Sequence, residues 1–496
     1  RAGEPGAGIG EVPRFARHAR LEQRQVLAVA GRGGWLVPHG LACAVELARS
    51  GLAVTVIEAE DEIGGGARSA DLTGDGLIHD VCSATHPMAV GAPFLASLGL
   101  ERHGLEWCQP EIDLAHPLYE GGGGVMFRDL ARTAAGLGDD GRAWRRVFGS
   151  SSRHFAALGE DMMRPILHVP RHPLRLLRFG IPAAAPANAL ARAWKGEEAR
   201  ALFGGVAAHG FGDFSHPMSS AVGCALIDAC HAYGWAVAKG GSGRITEALA
   251  AALAERGGLI ETGRRVSSLA ELPQVDAVVF DLAPRAVAEI AGERLPARTA
   301  RAYRRYRHGP AAFKVDFAVE GGVPWAHEPA RRAGTVHVGG SFEEVAAAER
   351  EVNRGRMPER PFILVGQQYL ADPSRSKGDL HPVWSYAHVP SAYDGDATEA
   401  LISHIERFAP GLRVRIAAKA VRTPADFELH YSNYVGGDII TGANTPVQTL
   451  FRPTLGPDPY FTGAEGLYIC SAATPPGAGA HGMSGYNAAR SVLKRL

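Results

Sequence analysis

At 496 residues the chain is long enough for about two to four domain-sized units around sizeable cores. A hydrophobic fraction of 46% and a charged fraction of 21% are those of an ordinary globular protein. Lys+Arg and Asp+Glu balance at 52 each, which excludes a partner held by bulk charge, nucleic acid above all.

Residues 1–24 are rich in Arg, Gly, Ala and Pro, lack the apolar stretch of a signal peptide, and are left unassigned. The chain starts at Arg1 rather than Met, so its true N-terminus is expected to lie outside this sequence. The first strong element is the strand-like "QVLAVA" (25–30). A helix is expected over "LACAVELARSG" (41–51), closed by Gly51, followed by the β-rich "AVTVIEA". Strand, turn, helix and strand within a few tens of residues make a βαβ unit, whose parallel strands should be apolar throughout.

Its turn is irregular. A G-x-G-x-x-G fingerprint ending at Gly40 needs glycines at 35 and 37, where the chain has Trp35 and Val37. Taking Gly31 and Gly33 as the first two glycines leaves four extra residues before the third. A third reading is an upstream frame slip: if the codons run CGT-GGT-GGG-TGG-CTC-GTC-CCC, a one-base shift and a compensating base turn "RGGWLVPHGL" into V-V-G-G-S-S-P-H-G-L. That restores a strand and a near-regular fingerprint, and sequencing the gene tests it.

Further along, "KGGSGRITEALAAALAERGGLIETGRRVSSL" (239–269) opens a helix from a glycine cluster and leads into a strand-like run. "DAVVFDLAP" (276–284) is a short buried strand. "GLYICSAATPPGAGAHGMSGYNAARSVLKRL" (466–496) repeats strand, Gly/Pro loop and helix. The fold class expected is α/β: a Rossmann-like nucleotide domain from discontinuous segments 25–95, 236–300 and 456–496, with an inserted α+β substrate region over 96–235 and 301–455. Six cysteines, none in a C-x-x-C pair, exclude a dithiol redox centre and a zinc ribbon and read as reduced, buried thiols. No apolar run reaches the ~18–20 residues of a membrane span.

Glu58 ends the second strand eighteen residues after Gly40, where a carboxylate can accept hydrogen bonds from ribose hydroxyls. "IGGGARS" (63–69) follows. Gly64 and Gly65 would let backbone N–H groups approach a pyrophosphate, with Arg68 as a positive fork beside them.

"EAEDEIGGGARS", "HDVCSATHP", "GGSGRITEALAAAL", "YVGGDIITGANTP" and "LYICSAATPPGAGAHGMSGYNAA" occur in this order from about residue 40 to the C-terminus. Together they resemble the phytoene-desaturase-like FAD oxidoreductases, and within them the pyridine nucleotide-disulfide oxidoreductase domain-containing protein 2 branch. The missing C-x-x-C argues against any disulfide chemistry the branch name suggests. The resemblance implies FAD as cofactor, Glu58 on the adenosine ribose, and Gly64, Gly65 and Arg68 along the pyrophosphate and flavin side. It also implies that Val266 meets the adenine through its backbone, that residues 478–483 (Gly479, Gly482 and Met483 among them) put a helix N-terminus at the flavin end, and that Ser83 and His86 sit beside the isoalloxazine. Ser83, His86 and His481 are pocket candidates, with no acid or base assigned.

Neither H-E-x-x-H nor a strand-to-helix G-x-S-x-G occurs, and no histidine spacing suggests a metal. Only one dinucleotide site is accounted for, so NAD(P) use finds no support. The expected activity is a cytoplasmic dehydrogenase or desaturase that moves hydride from an apolar small molecule to flavin N5, with oxygen or quinone as electron acceptor. The alternatives are an amine or amino-acid oxidase, with Arg452 in "LFRPTLGP" receiving a carboxylate, and a flavin-binding regulatory protein without turnover. "RPILHVPRHPLRLLRFGIPAAA" (164–185) reads either as a peripheral membrane face or as a solvated helix pair with an apolar core side.

Overall fold

The computed structural model describes residues 24–29 and 38–496, so the irregular turn and its three readings lie outside the described residues, apart from Pro38, His39 and Gly40. Five strands, β1 (Gln25–Val29), β2 (Ala53–Ile57), β3 (Leu259–Glu261), β4 (Ala277–Phe280) and β5 (Leu467–Ile469), form one parallel sheet in the order β5-β4-β1-β2-β3. The near-continuous apolar character of β1 follows from burial on both faces. Val26 and Ala28 pack with Leu41, Val45 and Leu249 on one side, while Leu27 and Val29 pack with Val287 and Ile290 on the other. The strand-like run after the 239–254 segment is shorter than expected, because only Leu259–Glu261 pairs before Gly263 turns the chain at φ 70°.

Three helices cover the first face: α1 (Pro38–Arg49), α2 (Gly243–Ala254) and α3 (Met483–Arg495). α3 lies so close to α1 that a methyl group at Gly485 would fall 1.8 Å from the His39 carbonyl oxygen. Backbone cannot yield as a side chain can, so that crossing requires glycine.

The second half of the molecule is a seven-stranded mixed sheet, in the order 416–422, 311–320, 380–389, 363–366, 333–338, 112–117, 123–126. Its strands are antiparallel except where 333–338 runs parallel to 112–117. Alternation in the 311–320 strand sends Phe313, Val315 and Phe317 into one core. The same alternation turns Lys314 and Asp316 to the opposite face, with Trp384 5.8 Å from the Lys314 ammonium. Helices between residues 130 and 233 pack on that face around Trp144, Phe203 and Phe214.

A buried ion cluster ties the two halves together. Arg375 gives Nη1 to Asp80 (2.6 Å), Nε to Asp372 (3.2 Å) and Nη2 to the Ala238 carbonyl (2.7 Å). Asp80 also accepts the Ser242 N–H and the Ser69 hydroxyl, and Asp372 accepts the Gly240 N–H. The "HD" and "GGSG" motifs are therefore joined by a carboxylate that organises the glycine loop. Burial works against the charge on Asp80, yet Arg375 and the N–H donors hold its carboxyl below the usual range.

Candidate functional site

The carboxyl ends of β2, β4 and β5 open on one crevice, the place where parallel α/β sheets bind ligands. Glu58 stands at the end of β2, fully buried, and accepts the N–H of Glu60 (3.0 Å). The segment carrying Val266 is drawn to the same corner, with the Arg264 N–H donating to the Glu58 carbonyl at 2.9 Å. The Val266 side chain itself is core, packed with Leu27, Ile57 and Phe280. Gly64 and Gly65 turn at φ 118° and 55°, and a methyl group at Gly64 would lie 2.7 Å from Arg68 Cγ. Arg68 is paired with exposed Glu62 at 3.3 Å. Burial first, then the neighbouring Arg422, lowers its pKa, so two guanidinium groups flank the cleft lined by Gly65 and Gly66.

Gly40 sits in the first turn of α1, but its N–H is engaged by the buried carboxylate of Asp281 (2.8 Å) at the end of β4. A helix N-terminus favours negative charge, and here a protein carboxylate takes that place.

Beyond these features lies a cavity of about 330 Å³. The 38–39, 66–67, 82–85 and 476–480 segments line its nucleotide side. His209, Leu226, Trp384, Tyr386, Tyr434, Asn444 and Arg452 are among those lining its substrate side. Ser83 reaches the cavity, its N–H donating to the Gly66 carbonyl (2.7 Å), and so does Gly479 at φ 131°.

The two expected pocket histidines, His86 and His481, do not line it. His86 is buried with Nε2 against the Ser242 hydroxyl (2.8 Å) and its ring 5.9 Å from Trp107. It belongs to the Asp80–Ser242 cluster, and burial holds it neutral with a pKa of about 4. His481 accepts the Met483 N–H on Nδ1 (3.1 Å) at the start of α3, with its ring centroid 4.8 Å from that of His39, tilted by 48°; His39 does line the cavity. The His481 pKa is likewise lowered by burial to about 4. The expected contact at the start of α3 shifts accordingly. Met483 has its N–H occupied and its side chain in the core, while Gly482 is fixed by packing, a methyl group there meeting Ala42 at 3.0 Å.

Sequence reasoning missed Arg422, His39, His209, Asn444 and the buried Lys314–Asp316 pair. Burial lowers the pKa of Lys314 and raises that of Asp316, while each partner opposes the shift. The pair lies behind the cavity wall, close to Trp384 and Cys82. Two charges at i and i+2 in "FKVDF" were a visible signal, since they break an apolar strand on one face.

Residues 38–92 match the NAD(P)-binding Rossmann-like domain family. The chain carries a Rossmann-like dinucleotide fold. A mouse protein, pyridine nucleotide-disulfide oxidoreductase domain-containing protein 2, is 37% identical over 93 residues. That alignment spans 18% of this chain and only 16% of the mouse protein. Among solved structures, an oxidoreductase from Methanosarcina mazei superposes with a TM-score of 0.60 at 15% identity, covering 95% of this chain and all of that one. Putrescine oxidase bound to putrescine gives 0.60 at 17% identity, covering 95% and 98%. The chain thus shares the overall fold of these two structures, a parallel sheet joined to a larger mixed sheet with the cavity between.

Proposed function

We propose that the chain is an FAD-dependent oxidoreductase, a dehydrogenase or desaturase that takes hydride from an apolar small molecule. The observation that carries this reading is a cleft lined by Gly65, Gly66, Arg68 and Arg422 that shares Gly66 with a cavity at the carboxyl ends of the parallel strands, with the buried Glu58 carboxylate at the end of β2. Those residues fit an adenine dinucleotide: an acid for ribose hydroxyls, close-approach backbone and paired guanidinium groups for a pyrophosphate, and an apolar chamber for the ring system. FAD, when bound, supplies the hydride-accepting chemistry. The chain's own share is orientation and exclusion of water: Trp384, Tyr386, Ile439 and Ile440 wall the chamber, and Ser83 and Gly479 sit on its nucleotide side. Oxygen or a quinone is the proposed electron acceptor and the cytoplasm the proposed location.

The proposal includes peripheral contact with an anionic membrane surface. Leu174, Leu177 and Ile181, on one face of the Pro173–Ala184 helix, are 77%, 62% and 68% exposed, with Arg175 and Arg178 exposed beside them. Phe179 and Ala183 are buried and Leu176 packs against the same core, so the helix turns one apolar stripe inward and leaves Leu174, Leu177 and Ile181 as a second one outside.

A second reading, an amine or amino-acid oxidase, draws on the shared fold and on Arg452 in the cavity wall. A scaffold that holds flavin without turnover is separated from both by whether bound flavin can be reduced and reoxidised. The first test is the visible spectrum of the purified protein. Flavin bands near unit stoichiometry are expected. A folded, colourless protein that stays colourless after residues 31–39 are rebuilt as a regular fingerprint would overturn the reading.

A further inference from the structure

We infer that the cavity takes a molecule with an anionic head, a carboxylate on an otherwise apolar body, and that Arg452 receives it. This rests on the proposed oxidoreductase site and specifies its substrate class.

Arg452 is 6% exposed and is the one charged side chain among the described residues lining the cavity, where Asp, Glu and Lys are absent. Among the described residues its one hydrogen bond runs from Nη2 to the Asn444 side-chain oxygen (2.9 Å), and its buried Nε has no acceptor. Asp438, the acid on the same loop, spends its oxygens on the N–H groups of Gly309, Ile440 and Gly442. A buried guanidinium with a single neutral partner is costly unless something else neutralises it, and the accessible direction is the cavity. Its Nη1 points toward the loop facing the nucleotide side, 3.0 Å from where a methyl group on Gly477 would sit.

The surroundings hold the guanidinium in place. Asn444 donates its amide to the Gly210 carbonyl (3.0 Å), which fixes its oxygen toward Arg452 and ties the arginine to the turn carrying His209. His209 is itself held by His337, with the two Nε2 atoms 2.9 Å apart. The buried Nδ1 of His337 has no acceptor, and an N–H there would be left unsatisfied. His337 therefore carries its proton on Nε2 and donates it to His209, which leaves the proton of His209 on Nδ1. Among the described residues that nitrogen has no hydrogen-bond partner, and the ring lines the cavity. Burial and the nearby His388 lower the His209 pKa to about 3, so the ring is neutral. Arg452 and His209 thus both present donors, a set that suits carboxylate oxygens and opposes an ammonium group.

The test titrates the purified protein with decanoate, decan-1-ol and decylamine, reading the change in tryptophan fluorescence and, where flavin is bound, its visible spectrum. Decanoate should bind at least about tenfold more tightly than the other two, and Arg452→Met should weaken decanoate alone by about 10- to 100-fold. Arg452→Lys keeps the charge without the planar fork and should weaken decanoate by about tenfold; it carries the test if the methionine variant does not fold. Equal binding of decanoate and decanol, or an unchanged decanoate affinity in these variants, overturns the inference. So does loss of flavin rather than of decanoate, which would make Arg452 a cofactor contact. A protein that stays colourless after residues 31–39 are rebuilt, yet still prefers decanoate through Arg452, would refute the flavin reading alone.

Discussion

Arg375 and Arg452 are both buried, and their surroundings are opposite. Arg375, 1% exposed, meets two carboxylates and a carbonyl, so each of its nitrogens is satisfied and its charge is neutralised inside the protein. Arg452, 6% exposed, meets one amide oxygen and faces a chamber without acids. The first arrangement locks two halves of a fold together. The second leaves electrostatic work undone, which is what a binding site requires.

Breaking the first arrangement should be the more severe change. Arg375→Met strands Asp80 and Asp372 as buried, unpaired charges and should cost about 3–5 kcal/mol in chemical denaturation. The loss should depend on pH with a defined sign. In the native protein the carboxyl pKa values of Asp80 and Asp372 are held down: burial opposes their charge, but Arg375 and hydrogen bonds prevail. Their stabilisation is therefore complete above the unfolded value of about 3.9 and is lost as pH falls through the lower folded values. In Arg375→Met both carboxyls lose the guanidinium's share of that lowering and rise, so the variant keeps less of the stabilisation that the charged carboxylates give the native protein above about pH 4. The gap between the two proteins should shrink in acid, and denaturation curves at several pH values check this.

Gly485→Ala tests the nucleotide half without touching charge. The added methyl meets the His39 backbone, and a loss of about 1–3 kcal/mol is expected, with His39 displaced at the cavity edge. Glu58→Gln should leave folding intact but weaken FAD retention by about 10- to 100-fold, read as flavin lost on gel filtration. The smallest effect belongs to the outer helix. Leu177→Ser should change stability within about 0.5 kcal/mol, while reducing co-sedimentation with anionic vesicles.

The two halves also differed in what their sequence disclosed. The parallel sheet, its helices, Glu58 and the Gly64–Gly65 turn were legible because strand, glycine and acid lie within one local unit. The Arg375 cluster was not, since its partners Asp80, Ala238 and Asp372 come from three distant segments. His86 and His481 were misplaced for a related reason. A histidine in a glycine-rich loop looks like a pocket residue, yet both rings are spent on hydrogen bonds to Ser242 and the Met483 N–H. Asn444 and His209 became visible only through the contacts that place them around Arg452.

The order of the five parallel strands carries one more consequence. β1 and β2 are adjacent in sequence, but their sheet is completed by β3 and β4 and then by β5, with the second sheet synthesised between. At ordinary translation rates, on the order of tens of seconds separate β2 from β5. During that interval β4 has no neighbour on its outer edge, and the face that α3 will cover stays open. A chain that has not yet made β5 carries the outer edge of β4 unpaired, the kind of edge on which another strand can add.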